Sequence, residues 1–376
     1  MSTNGPLTGV RVLDLSRVLS GPYATMTLAD LGADVVKVEH PERGDDTRSF
    51  GPPFMDGVST YFLAVNRGKR SIGLNLKEEA DRVTLTRLMK EADVLVENFR
   101  PGVMERLGFD WDAVHALNPS LVYCSISGFG QERPDPGYDL MVQGLSGIPS
   151  ITGSGEPTKC GASIADLVAG MNAVQGILAA LFQRQATGEG SRVDVSMLDG
   201  QLSLLTYHAS AWLNGGKRPV ALGNAHPSIH PFRAYQTADS HLNLAIGNDR
   251  LFDTFCRRFG LTWHKEPRFE TNAKRVENRG ALDDELGPLM KTRSTSDWLG
   301  ELQDEGIPCG PILSVPQALE NASIGEHPHP RTNETVRTVA LPFQVGNAPR
   351  FSDKAAPDLG ADEAGVLESW LGERDG

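Results

Sequence analysis

Val10-Arg11-Val12-Leu13-Asp14-Leu15 and Asp34-Val35-Val36-Lys37-Val38-Glu39 are two short apolar runs, separated by Gly21-Pro22 and a segment of helical character at 23–31. Their length and Val content suit buried strands. Between them Met26, Leu28 and Leu31 supply apolar contacts, and Gly32 follows where a glycine closes a helix. Strand, helix and strand within thirty residues make a βαβ unit with parallel strands.

The pattern repeats downstream. Residues 71–76 read as strand, 78–91 as helix, 94–97 as strand, 102–116 as helix and 121–126 as strand. Such alternation predicts an α/β fold with an open, doubly wound parallel sheet, Rossmann-like in arrangement. A long apolar helix is expected over 166–187, ended by Gly188-Glu189-Gly190, and a second over 197–214. Past Gly215 the texture changes. Residues 216–245 are rich in His, Pro and turn formers, and 250–305 alternates short helical segments with polar loops, as in a smaller α+β domain. A short helix at 367–371 sits in an acidic C-terminus.

A chain of 376 residues exceeds what one core usually organises. Its net charge of −12 argues against nucleic-acid or membrane-surface binding but leaves room for a local basic pocket. Cys124, Cys160, Cys256 and Cys309 are far apart with no CxxC pair, so they read as reduced thiols. The opening MSTNGPLTG has no leader pattern, and no uninterrupted apolar run approaches ~20 residues, so a cytoplasmic protein is expected. The first strand–helix turn, Ser16-Arg17-Val18-Leu19-Ser20-Gly21-Pro22, lacks the G-x-G-x-x-G fingerprint, and no phosphate loop occurs. NAD and ATP are therefore not expected, and neither is a metal: His226 and His230 lie beside prolines without a third ligand.

The run from Leu13 to Pro22, followed by Leu31-Gly32-Ala33-Asp34-Val35-Val36-Lys37-Val38-Glu39, resembles the opening of class III CoA-transferases. That family holds formyl-CoA:oxalate and carnitine CoA-transferases and also α-methylacyl-CoA racemases. Further matches follow in order: Gly44-Asp45-Asp46-Thr47-Arg48, Asn66-Arg67-Gly68-Lys69-Arg70-Ser71-Ile72, Glu97-Asn98-Phe99-Arg100-Pro101-Gly102, Ser127-Gly128-Phe129-Gly130 and Ala165-Asp166-Leu167-Val168-Ala169-Gly170. Later ones run from Gly190 to Asp199 and over Gly247-Asn248-Asp249-Arg250. The resemblance implies a large domain built from both chain ends (1–200 and 316–376), a small domain (216–315) and an interlocked homodimer.

It also implies site residues. Asp166 matches the transferase nucleophile, although by itself an Asp opening a helix reads as an N-cap. A carboxylate suits this chemistry, because attack on a thioester gives an anhydride and a thiolate. Recombination then gives an aspartyl-CoA thioester, so no ATP is needed. The implied CoA contacts are Leu19, Ser20, His40, Leu74, Asn75, Lys77, Asn98, Phe99, Arg100, Arg106, Gly128, Phe129, Gly130 and Gln131. Lys77, Arg100 and Arg106 read as phosphate partners or as solvated surface charge. Leu19 departs from the Gln of the formyl-CoA enzyme, and His40 from an Arg. Tyr138, Gly247 and Asn248 are implied walls of the substrate site, the last two in a loop with one glycine where some relatives carry a run; His226, near the expected domain junction, reads by its position as a further wall of that cavity. Tyr138 stands where the racemase branch has its catalytic His, which favours transfer over racemisation. A non-catalytic CoA-binding homologue and a thioesterase are the remaining alternatives. Arg17, Arg48 and Arg233 are candidate partners for the second carboxylate of a dicarboxylic acid, or structural cations.

Overall fold

The computed structural model describes residues 5–332 and 334–373; the first four residues of the segment read for a leader lie outside them. The chain forms two compact units, one of residues 1–148, 159–214 and 323–376, the other of 149–158 and 215–322.

The larger unit is organised by six parallel strands, β1 (Arg11–Asp14), β2 (Asp34–Glu39), β3 (Lys69–Gly73), β4 (Val94–Glu97), β5 (Val122–Ser127) and β6 (Arg192–Ser196). Their order across the sheet is β3-β2-β1-β4-β5-β6, so the winding reverses between β1 and β4. Alternate residues face opposite sides. Val12, Val35, Val96 and Cys124 pack beneath helices α1 (Ser20–Asp30) and α4 (Ile164–Thr187). Leu13, Val36, Leu95 and Tyr123 pack on the other side, with Leu85, Leu88 and Met89 of α2 (Glu79–Glu91). Helix Glu363–Leu371, longer than the 367–371 expected, adds Val366 and Trp370 to that second core. With both faces covered, the strands can be near-continuously apolar.

Three local expectations need correction. The helix at 102–116 is two helices, Val103–Leu107 and Trp111–Leu117, because Gly108 turns at φ 81° and Asp110 caps the second through Ala113 N–H. The helix at 197–214 likewise splits into Met197–Ser203 and Thr206–Gly215, with Thr206 at positive φ. Edge strand β6 alternates polar and apolar residues, Arg192-Val193-Asp194-Val195-Ser196, and was not expected as a strand. Helix α4 has the length and mean apolarity of a membrane span, but Asp166, Asn172, Gln175 and Gln183 interrupt it, so no uninterrupted apolar run of ~20 residues occurs there. One face of it is core: Ala165, Ala169, Ala173 and Ile177 are fully buried at four-residue spacing.

The smaller unit carries an antiparallel sheet of Phe232–Gln236, His241–Ala245 and Cys309–Pro311. Helices Asp249–Arg258, Arg279–Met290 and Thr295–Asp304 close its core around Phe252, Phe255 and Trp298.

Beneath the point where the winding reverses lies a buried charge network. Lys69 Nζ donates to Asp14 Oδ2 at 3.0 Å, and Lys37 Nζ lies 2.9 Å from Asp45 Oδ2. Burial pushes the Asp14 carboxyl up, but Lys69, Lys37 and the Ser16 and Thr25 hydroxyls outweigh it and hold it at about 2. Asp14→Ala leaves the Lys69 ammonium uncompensated, and we expect a loss of about 3–5 kcal/mol in urea unfolding. A loss under about 1 kcal/mol would mean that Lys69 finds another partner or sheds its proton.

Candidate active site

In an open parallel sheet the loops at the carboxyl ends of the strands part where the winding reverses. Here the loop after β1 and the loop after β4 bound a cavity of about 160 Å³, with Arg17, Ser20, Asn98, Arg100, Tyr138 and Asp166 among its walls. A second cavity, of about 310 Å³, is lined by His40, Arg43, Leu74, Asn75 and Lys77. The two share Arg17, Asp46 and Phe99 as a common wall.

Asp166 is in the first turn of α4, third after its N-cap Ser163, so it is not itself the cap. Asp139, the first residue of α3 (Asp139–Ser146), takes up a first-turn donor instead. Its Oδ1 accepts Ala165 N–H at 3.0 Å, and its Oδ2 accepts the buried Gln143 amide at 2.8 Å. Gln143 Oε1 also accepts Cys160 N–H at 2.9 Å, which pins the loop leading into α4. The N–H and hydroxyl of Ser20 lie close enough to the Asp166 carboxylate to favour its anion.

Ser20 is itself held. Asn98 Oδ1 accepts Arg17 N–H at 2.8 Å, and its Nδ2 donates to Arg17 O at 2.7 Å and to Ser20 Oγ at 3.2 Å. Close helix packing completes the placement. A Cβ on Gly170, one turn after Asp166, would lie 2.7 Å from Ser20 O and 3.0 Å from the Tyr23 ring. Only a glycine lets α4 approach α1 so nearly.

Burial, and then the negative charge of Asp139, push the Asp166 carboxyl up to about 7 against the two Ser20 donors. Burial and the Asp166 charge likewise push the Tyr61 phenol up to about 12, so it stays a donor. Neither Asp139 nor Tyr61 was singled out from sequence. Asp139 lay in view beside Tyr138, but nothing in the string says that its carboxylate reaches Ala165.

The other expected residues divide. Ser20, Asn98, Phe99, Arg100, Gly128 and Tyr138 line the Asp166 cavity, and His40, Leu74, Asn75 and Lys77 the second. Leu19 lines neither; it is buried with Met26 and Val65. Arg106 is exposed near the end of helix Val103–Leu107 and lines neither. Phe129 packs on the core under the Arg133 guanidinium, Gly130 turns at φ 85°, and Gln131 lines a separate cavity.

His226, Gly247 and Asn248 belong to the smaller unit. There Asn248 caps helix Asp249–Arg258 through Leu251 N–H, and His226 Nδ1 accepts Ser228 N–H. Two candidate carboxylate partners are already committed. Arg48 binds both oxygens of Glu39 and stacks over Phe62. Arg233 pairs with Asp283 at 2.7 Å. Arg17 is half-exposed and only 3.6 Å from Asp46, so it keeps donors for a ligand.

The chain belongs to CoA-transferase family III, which it matches over residues 7–363, and is an enzyme of the CoA-transferase class. It is 44% identical to an acetyl-CoA:oxalate CoA-transferase of Acetobacter aceti, over 84% of this chain and 82% of that one. It is 38% identical to a succinate–glutarate CoA-transferase of Agrobacterium fabrum, over 96% and 95%. Among solved structures, a CAIB/BAIF family protein from Brucella suis superposes with a TM-score of 0.84 at 38% identity, covering 98% of this chain and 100% of that one.

Two outcomes are expected. Gly170→Ala forces α4 from α1, and a shift of ~1 Å between Asp166 and Ser20 lowers kcat by about a hundredfold in a folded protein. An unchanged kcat would show that the contact does not place the carboxylate. If Asp166 acts in the transfer as its anion, kcat/KM rises with pH through about 7. Asp139→Asn keeps an acceptor for Ala165 N–H but removes the charge, so that midpoint moves down; a fixed midpoint would separate Asp139 from Asp166.

Proposed function

We propose that the protein moves CoA from a succinyl-CoA or acetyl-CoA type donor to a small dicarboxylic acid, through a thioester on Asp166. One observation carries the reading: the Asp166 carboxylate and Ser20 line a cavity that shares the wall Arg17, Asp46 and Phe99 with a second one lined by His40, Arg43 and Lys77.

An Asp166 oxygen attacks the donor thioester carbonyl, the C–S bond breaks, and CoA leaves as thiolate beside a mixed anhydride. The thiolate attacks the aspartyl carbonyl, the anhydride C–O bond breaks, and the first acid departs as its carboxylate. The acceptor carboxylate then attacks aspartyl-CoA, and both steps run in reverse. The tetrahedral intermediates formed at the aspartyl carbonyl place negative charge on an Asp166 oxygen, where the Ser20 N–H and hydroxyl serve as nearby donors. Closing the cavity against water protects the anhydride.

CoA would occupy the second cavity, its phosphates near Arg43 and Lys77 and its thiol directed past Phe99. Oxalate, succinate and glutarate, in the names of the relatives, all carry two carboxylates. Arg17 is suited to the distal one, by charge-assisted hydrogen bonding. We also propose a homodimer. Met171, Leu178 and Phe182 on α4, with Tyr207, Trp212 and Leu213 on helix Thr206–Gly215, leave large apolar side chains exposed that a partner subunit would cover.

Incubation with a panel of acyl-CoAs and hydroxylamine, followed by peptide mass spectrometry, tests the mechanism. A hydroxamate at Asp166 is expected, absent in Asp166→Ala. No adduct, with deuterium entering the α-position of a 2-methylacyl-CoA, would replace transfer by racemisation. Arg17→Ala should raise KM for the dicarboxylate at least about tenfold. Exchange with monocarboxylates alone would remove the dicarboxylate reading.

A further inference from the structure

Glu97 ends β4, and successive side chains of an extended segment face opposite ways. Asn98 turns to the Asp166 cavity, whereas Glu97 turns to a separate cavity of about 350 Å³. The Glu97 side chain is buried, and among the described residues no cation pairs with it. Its Oε1 accepts the Ser125 hydroxyl and its Oε2 accepts Phe99 N–H at 2.8 Å. The second bond spans two residues and closes the turn at the strand end. On that turn ride Asn98, which clasps Arg17 and Ser20, and Phe99 and Arg100, which wall the cavity.

We infer that Glu97 is a positioning residue for CoA binding, fixing the Asn98-Phe99-Arg100 turn through its bond to Phe99 N–H. This rests on the CoA reading above. The groups facing Glu97 are Tyr123 and Ser125 on β5, Arg192 on β6, Arg100 on its own loop, Glu105, and Asp110 and Asp112 at the start of helix Trp111–Leu117. Arg192 is taken by Asp194 at 2.9 Å. With no dedicated counter-ion, burial pushes the Glu97 carboxyl up to about 7. The neutral acid is a weaker acceptor than the anion, so the turn is held more firmly above that pH than below it.

The test is the affinity for free CoA by calorimetry, between about pH 6 and 8, in full-length Asp166→Asn, which lacks the other carboxyl titrating there. In that background Glu97→Asp keeps the charge but loses a methylene of reach, and should bind CoA about tenfold more weakly. Glu97→Gln keeps the reach and an acceptor, so it should bind within about threefold of the parent and lose the parent's weakening below pH 7. Tight binding by Glu97→Asp, or a parent-like pH profile in Glu97→Gln, overturns the inference. If Glu97→Asp does not fold, the Glu97→Gln profile decides. A parent that binds no CoA overturns the CoA reading itself, and the Glu97 role with it.

Discussion

The contact of α4 with α1 at Gly170 is the constraint on which the site depends. Helix α1 begins at Ser20, directly after the loop that leaves β1, so Ser20 carries the position of the sheet centre outward. Asp166 lies one turn before Gly170 on α4, so the helix separation fixes how far its carboxylate stands from the Ser20 donors. Side chains at that crossing would open the gap by more than a hydrogen bond tolerates. A second close crossing helps. A Cβ on Gly128 would lie 2.5 Å from Gly137 Cα, so the end of β5 and the segment entering α3 run in contact. That places Asp139 against the first turn of α4.

Charge placement follows from the same geometry. Asp166 has no cation bonded to it among the described residues; two neutral donors and a helix start compensate it only partly. A carboxylate held this way titrates near neutrality and is less stabilised as an anion than an ion-paired aspartate. Buried cations of the larger unit are committed to other carboxylates. Lys69 and Lys37 saturate Asp14 and Asp45, and Arg48 saturates Glu39. This network fixes the β1 loop, since Lys37 also donates to Ser16 O at 2.7 Å, while adding no cation to Asp166.

The sheet was legible because βαβ alternation is a local signal: each strand of 10–39 is a separate apolar run, and Gly32 marks the helix end by itself. Asp166 and the loop at Asn98 were legible only through family likeness, since an aspartate opening a helix is an ordinary sight. What stayed hidden was relational. Nothing in the order of residues says that Arg48 reaches Glu39, that Leu19 turns into an apolar cluster, or that Asp139 caps a helix twenty-five residues later. Edge strand β6 was missed for a different reason: Arg192 and Asp194 face solvent there, so only half its residues carry an apolar signal.

The consecutive residues Glu97 and Asn98 show why such a site tolerates change in substrate without change in fold. One anchors the turn to the sheet from outside the reaction cavity, and the other reaches into it and holds the opposing loop. Neither needs to contact the acid that is exchanged. In the proposed reaction, recognition of that acid falls to side chains such as Arg17, whose backbone is clasped on both sides but whose guanidinium is bound to little else. A rigid backbone with a free head group separates placement from selection. On the proposed reading, replacing the head group alters which acid fits, and the Asp166 carboxylate, Ser20 and the turn at Asn98 remain where the strand ends put them.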